Sequence, residues 1–414
     1  MIIFCEECGA RNDLRDECLG GGLHTFACCQ CEEILMVSKP STSESDRGGL
    51  NAFARMTPNK KEGDAERPIR VLIVDDSTVL RKILKGIFAH DSQIQVVGEA
   101  EHGLKALELI PELKPDVVTL DVNMPVMDGM TAIKHIMIKC PTPVVMFSTL
   151  TGQGALETFE TLRYGAIDFL QKPSSLQKQD LESQHELIVS RVKNAARAGI
   201  ETIRYLRPAK AVQPSKNGNG TSCQHIFAIG SSYGGYGALL GLVPELHPEL
   251  PAAFLSTLYA APPHVEAFAR YLDGHSPIDV RRAVDGEPVK TGTCYLASSH
   301  EIVTVADHEG QLRLSVQSSP TDRPQRATDH LMQSLSTALN ANAGGVLLSG
   351  VGEDGVEGIG RILAGGGHAI VQDPQTCLCR DTTAMAAERY GLTTVLPGMR
   401  MAETIRTHCL GAGA

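Results

Sequence analysis

Ile226 to Gly235 reads IFAIGSSYGG, a β-branched apolar run that enters a glycine-rich turn and delivers Ser232 to the start of a helix. Apolar side chains at successive positions suit a strand covered on both faces, and glycine gives the turn backbone room. A serine on such a strand-to-helix turn is where a nucleophile is built. The alternatives are a plain structural turn and a nucleotide loop, and the G-x-G-x-x-G spacing of a dinucleotide site is absent. AAFLSTLY, TCYLAS, GGVLLSG and HAIVQ continue as short apolar runs between helical stretches, so the segment after Cys223 reads as an α/β domain. LLSGVGEDG, a second glycine-rich loop after a strand, puts Asp354 at another helix start.

Toward the N-terminus, IRVLIVDD, IQVVGEA, PDVVTLDV, PVVMFST and AIDFLQKP alternate with helical patterns, again the mark of a parallel sheet wrapped by helices. Leu80, Ile83, Leu84, Ile87 and Phe88 recur at helical spacing and predict one buried stripe. In open α/β sheets the chemistry collects at the carboxyl ends of the strands, which here carry Asp75, Asp76, Asp121, Ser148 and Lys172. One aspartate at a strand end is ordinarily a helix cap. Clustered carboxylates repel unless a cation sits among them, and a hard divalent ion such as Mg²⁺ suits carboxylates plus phosphate oxygens. Lys172 would pair with a phosphoryl group as a point charge.

The whole chain has 414 residues, 42% hydrophobic and 21% charged, enough for two or three domains. Two polar stretches, 39–67 and 201–222, are too rich in Ser, Pro, Gly and Lys to form a core and read as linkers. They divide the chain into modules at 1–38, 68–200 and 223–410. The formal net charge of −10 argues against a nucleic-acid partner, since phosphate-backbone binding rests on Lys and Arg. The apolar runs are too short for membrane insertion and the N-terminus lacks a basic leader, so a cytoplasmic location is expected.

Twelve cysteines in such a chain suit metal binding and core thiols better than a disulfide framework. Cys5, Cys8, Cys28 and Cys31 form C-x₂-C-x₁₉-C-x₂-C, two thiolate pairs at the spacing of a tetrahedral Zn²⁺ site. A redox Cys-x₂-Cys pair is the rival, and it would need only one of the two. The segment resembles a zinc ribbon, which implies a protein partner for it and stability supplied by metal.

IVDDS, LDVNMPVMDG, MFSTLT and GAIDFLQKP together resemble the receiver domain of two-component response regulators from Ile69 to Ile200. The resemblance implies a flavodoxin-like, doubly wound parallel sheet with Asp121 as phospho-acceptor. It also implies Mg²⁺ held by Asp75, Asp76, Asp121 and the main-chain carbonyl of Asn123. Ser148, Phe169 and Lys172 would form the switch, and a histidine kinase of the chemosensory type would be the donor.

IGSSYGG, VDGEPVKTGTCYLA, RATDHLMQSL and LLSGVGEDGVEG resemble the catalytic domain of the chemotaxis receptor methylesterases (CheB), and a receiver ahead of that domain is the family's own order. The resemblance implies a larger α/β effector domain acting on a methyl-accepting receptor as a protein-glutamate methylesterase and protein-glutamine glutaminase. Ser232 would be the nucleophile and Asp354 the orienting acid. The family's histidine base, however, falls on Tyr259, and the threonine after the nucleophile falls on Tyr233. A phenol is ionised about one part in a thousand at pH 7, and loss of a triad base costs on the order of 10⁶ in kcat. His264 and His300 are the candidates to stand in, each required to come within ~3 Å of the serine. Two readings stay open: a phosphorylation-controlled ester hydrolase with a displaced base, or an effector that has lost catalysis and acts as a phospho-regulated binding module.

Overall fold

Runs of β-branched residues flanked by glycine form the strands, and the amphipathic stretches between them form the helices. The computed structural model describes residues 67–148, 153–172, 178–199, 223–319 and 326–410, and before residue 67 only four short strands. These are β1 (Ile2–Phe4) antiparallel to β2 (Arg11–Asp13), and β3 (Gly22–Ala27) antiparallel to β4 (Ile34–Lys39). The four cysteines of the expected zinc ribbon, Cys5, Cys8, Cys28 and Cys31, lie outside the described residues. The chain divides into two compact units, Met1–Thr142 and Pro143–Ala414.

In the first unit, β5 (Ile69–Val74) runs parallel to both β6 (Ile94–Ala100) and β7 (Val117–Asp121). Val71, Leu72 and Ile73 are fully buried because helices cover the sheet. Helix α1 (Thr78–Ala89) buries Leu80, Leu84, Ile87 and Phe88, as its spacing predicts, with Ile83 at the half-buried edge of that stripe. Its first turn is capped by Ser77, whose hydroxyl accepts from the Leu80 amide. Helices α2 (Gly103–Leu113) and α3 (Gly129–Lys139) complete the unit.

The second unit opens with β8 (Val144–Ser148) parallel to β9 (Asp168–Gln171), followed in each case by a helix, α4 (Gln153–Arg163) and α5 (Lys178–Ala196). It continues into a seven-stranded sheet. Its central strand, β10 (His225–Gly230), pairs in parallel with β11 (Ala252–Leu258) on one side and β16 (Ala343–Leu347) on the other. The outer strands are β12 (Asp279–Arg282) and β13 (Thr293–Ser298) beyond β11, with β17 (His368–Gln372) and β18 (Val395–Leu396) beyond β16. The first strand therefore lies mid-sheet and the chain leaves it in both directions. That is a topological switch point, where α/β sheets gather ligands.

The strands expected after Cys223 all form. An antiparallel hairpin, β14 (Glu301–His308) with β15 (Gln311–Ser318), adds to them. Its alternation is weak because one face packs on α8 (Ala327–Leu339) through Val303, Val305 and Leu314 while the other is wet. The remaining helices are α6 (Gly235–Leu242), α7 (Pro262–Asp273), α9 (Val356–Ala364), α10 (Asp381–Tyr390) and α11 (Gly398–Leu410).

Candidate functional site

The carboxyl ends of β5 and β7 bring Asp75, Asp76 and Asp121 together, with one oxygen of each within 4.8 Å of the others. Asp75 and Asp121 are buried, at 1% and 2% exposure. Asp75 accepts the Ser77 amide at 2.8 Å and Asp121 the Asn123 amide at 3.3 Å. Arg81 spends its guanidinium on the carbonyl oxygens of Asp75 and Asp76 and on Glu99, so it braces the loop. Gly129 lets the next helix start against this strand end: a Cβ there would lie 2.0 Å from the Asp121 carbonyl oxygen. Three converging carboxylates, two of them buried, form an oxygen donor set that fits a hard divalent cation.

Ser148 closes β8 with its hydroxyl accepting from Thr158 at 2.7 Å, and its carbonyl accepts the Lys172 amide. Phe169 is 4% exposed. Its ring lies 5.3 Å from Phe159 edge-on and 4.8 Å from Tyr236, on the helix that begins just after the Ser232 turn. Phe268 on α7 joins Phe159 at 5.2 Å and Tyr236 at 4.8 Å. Tyr271 of the same helix donates to Glu160 at 2.5 Å. The expected switch aromatic thus packs directly on effector side chains.

Register places the second site. Gly230 of β10 lies opposite Thr257 of β11 and Leu347 of β16, so Ser232, Tyr259 and the Gly350–Asp354 loop leave the sheet at one edge. The Ser232 amide donates to Ser349 O at 3.2 Å. Its hydroxyl accepts from the Val351 amide at 2.8 Å and donates to the Val351 carbonyl at 3.2 Å. Two glycines make this contact possible. A Cβ on Gly350 would come within 2.7 Å of Ser232 Oγ, and Gly234 takes φ +77° with Ser349 Oγ 2.7 Å from where its Cβ would be.

Asp354 accepts the amides of Thr328 at 3.2 Å and Asp329 at 3.0 Å, donors that the start of α8 leaves without an intrahelical partner. Asp329 returns the bond, accepting from Gly355 at 3.0 Å and Gly358 at 2.7 Å at the start of α9. Burial raises the Asp329 carboxyl pKa and these bonds oppose it. The expected orienting acid thus joins two helix starts.

Among the described residues, no hydrogen bond links Ser232 to a histidine. His264 sits in the first turn of α7 with its ring 5.9 Å from Phe169, its pKa lowered by burial and then by Arg191. His300 lies in the turn between β13 and β14, its amide donating to Ser298. Tyr259 is half-buried, and burial foremost holds its phenol above the ordinary pKa. Its carbonyl accepts from Arg191 of α5 at 2.5 Å, and Arg191 also pairs with Asp168. Arg191 and Asp168 carry no signal in the sequence, where nothing local separates them from any helix arginine and strand aspartate.

Among the described residues no helix is long and apolar enough to cross a membrane. The CheB methylesterase family pattern matches residues 227–405 and the Response regulator receiver domain pattern residues 71–184. A "Protein-glutamate methylesterase/protein-glutamine glutaminase" of Pyrococcus abyssi is 36% identical over 347 residues, 82% of this chain and 93% of that one. A similarly named protein of Xanthomonas oryzae is 36% identical over 350 residues, 82% of this chain and 97% of its own. The crystal structure of the Thermotoga maritima CheB methylesterase catalytic domain, 27% identical, covers 44% of this chain and 96% of its own, with a TM-score of 0.42.

Proposed function

The chain belongs to the CheB methylesterase family as a response regulator with a receiver and a methylesterase/glutaminase-type effector domain, and from that premise we propose that its effector works by phosphorylation-controlled binding rather than by turnover. The observation that carries this reading is the Ser232 hydroxyl, whose bonds end on the Val351 backbone while the base position holds a neutral phenol. A serine whose hydroxyl donates to a backbone carbonyl, with no base to take its proton, is a poor nucleophile at neutral pH.

On the input side, Asp121 accepts the phosphoryl group from a histidine kinase of the chemosensory type. The carboxylates of Asp75, Asp76 and Asp121 with the Asn123 carbonyl hold Mg²⁺, which when bound neutralises phosphate charge. Ser148 and Lys172 face the phosphoryl group in the phosphorylated state. Phe169 carries the change to Tyr236, 4.8 Å away, and loosens packing beside the Ser232 turn. On the output side, the cleft takes the helices of a methyl-accepting receptor, where it competes with an active methylesterase. The protein acts in the cytoplasm. The N-terminal cysteines form a Zn²⁺ ribbon that docks a protein partner: Cys5 and Cys8 fall between the paired strands β1 and β2, and Cys28 and Cys31 between β3 and β4. Two Cys-x₂-Cys pairs suit a tetrahedral site.

The test is methanol release from methylated receptor by the purified full chain, with and without a small-molecule phosphodonor, beside Ser232→Ala. Receptor binding that rises on phosphorylation, with release no greater than that of S232A, is expected. Release that depends on Ser232 would assign the chain a working hydrolase with a displaced base and overturn the reading.

A further inference from the structure

The amino ends of the effector strands, opposite the Ser232 edge, gather a second set of metal-ligating side chains. β10 and β17 flank β16, and each opens with a histidine, His225 and His368. A third, His408, comes from α11 and lies against both. Its ring stacks on that of His368 at 4.3 Å and 15°, and sits 5.3 Å from that of His225 at 67°. All three side chains are half-buried. β16 leaves His408 room to bridge its neighbours, because Gly344 has no side chain on that face. A Cβ there would meet the Phe227 ring at 2.1 Å, and that ring lies edge-on to His408 at 6.1 Å.

Two of the ring nitrogens are unengaged. His225 Nδ1 and His368 Nε2 are buried and meet no hydrogen-bond partner among the described residues. Buried polar atoms are rarely left so, and each instance asks for a ligand or a role. The other nitrogen of His225 donates to the Asn342 carbonyl, which fixes the tautomer that leaves a lone pair on Nδ1. Burial lowers the pKa of all three imidazoles, so at neutral pH they stand in the uncharged form that binds metal. Cys223 and Cys409 neighbour two of these histidines in the chain, but burial pushes both thiols up to about 11, so the imidazoles bind first.

The spacing agrees with the chemistry. Two imidazoles sharing one Zn²⁺, at ~2.0 Å from each nitrogen, have ring centroids roughly 5 Å apart. The two contacts of His408 bracket that value. Because His368 and His408 stack, binding has to tilt His408 out of the stack to aim its nitrogen with theirs. Neutral nitrogen ligands select a borderline ion of the Zn²⁺ kind over Mg²⁺, which prefers oxygen.

We propose that His225, His368 and His408 form a site for a divalent transition metal of the Zn²⁺ class, which pins α11 to the amino ends of β10 and β17. The site is distinct from the N-terminal cysteines and from the Asp75, Asp76 and Asp121 cluster. It stands whether or not Ser232 supports turnover.

The test uses the full chain, stripped with a chelator and then given Zn²⁺ in excess Mg²⁺, which keeps the carboxylate cluster occupied. After desalting, the wild type should retain about one zinc ion more than His408→Phe, which preserves the ring packing and removes the ligand. Any zinc on the N-terminal cysteines is common to both proteins and cancels. Hydrogen exchange across 398–410 should slow by roughly a hundredfold in the wild type at free Zn²⁺ about 100 times Kd. In H408F it should not respond. Equal retention by the two proteins overturns the proposal. So does zinc that binds the wild type without slowing exchange in 398–410, which would be an adventitious ion only. If H408F raises exchange throughout 343–372, it has lost its fold, and His225→Gln and His368→Gln then decide by the same count: loss of one ion in each supports the site, and wild-type retention in both overturns it.

Discussion

The two strand-end sites of this protein present opposite kinds of incompleteness. At the ends of β5 and β7, three carboxylates crowd within 4.8 Å, a donor set that an ion from outside would complete. At the ends of β10, β11 and β16, the Ser232 hydroxyl meets only the Val351 backbone, and as a nucleophile it would need a base, which must come from the chain itself. A solvent-borne cation restores the first at once. Nothing dissolved restores the second, because a general base must be fixed within hydrogen-bond reach, and the position is filled by a tyrosine that carries an internal arginine.

That contrast is open to experiment, beginning with the largest effect. Asp121→Asn should abolish incorporation of phosphate from a phosphodonor, followed by intact mass, and chelation of Mg²⁺ should do the same to the wild type. Incorporation by D121N would break the comparison at its first term. Asp168→Asn should destabilise the fold by about 3–5 kcal/mol, since it leaves a buried guanidinium without its carboxylate. Urea unfolding reads this, and a change under about 1 kcal/mol would mean that the pair is not structural. Tyr259→His combined with Arg191→Ala should raise Ser232-dependent methanol release by roughly 10²-fold, the lower range of a general base. Unchanged release would show that the change at Tyr233 disables the pocket as well.

The smallest effect concerns the opposite edge of the effector sheet, where His368 and His408 stack at 4.3 Å and His225 lies 5.3 Å from His408. Burial lowers all three pKa values below 6.5, and His408 lowers the other two further. A base with a depressed folded pKa binds fewer protons folded than unfolded, so stability is present above pH 6.5 and declines as pH falls below it. Melting temperature should therefore drop modestly between pH 7 and pH 5.5, and His408→Phe should flatten that slope. An equal slope in the variant would place the sensitivity elsewhere.

Much of the fold was legible because its signals are local. IFAIG, VVTLD and VVMFS are apolar on both faces and short, which only a covered parallel strand satisfies. The hairpin 301–318 carries little local signal because its inward residues are spaced among polar ones and its packing surface is supplied by α8, which follows it in the chain. The Ser232 turn was readable from its glycines, whose need for positive φ or close approach is set by a few neighbouring residues.

The sequence by itself determined the two α/β sheets, the carboxylate cluster at the ends of β5 and β7 and a tyrosine at position 259, since each follows from residue type and spacing. Only the tertiary structure decided what surrounds that tyrosine. Arg191, Asp168, Tyr233 and Tyr259 come from distant stretches, and a buried cation is sited by the sum of a carboxylate, a carbonyl and two ring faces that no single segment contains. Partnering of that kind is a property of three-dimensional packing in a low-dielectric interior, where charge must be met from every side.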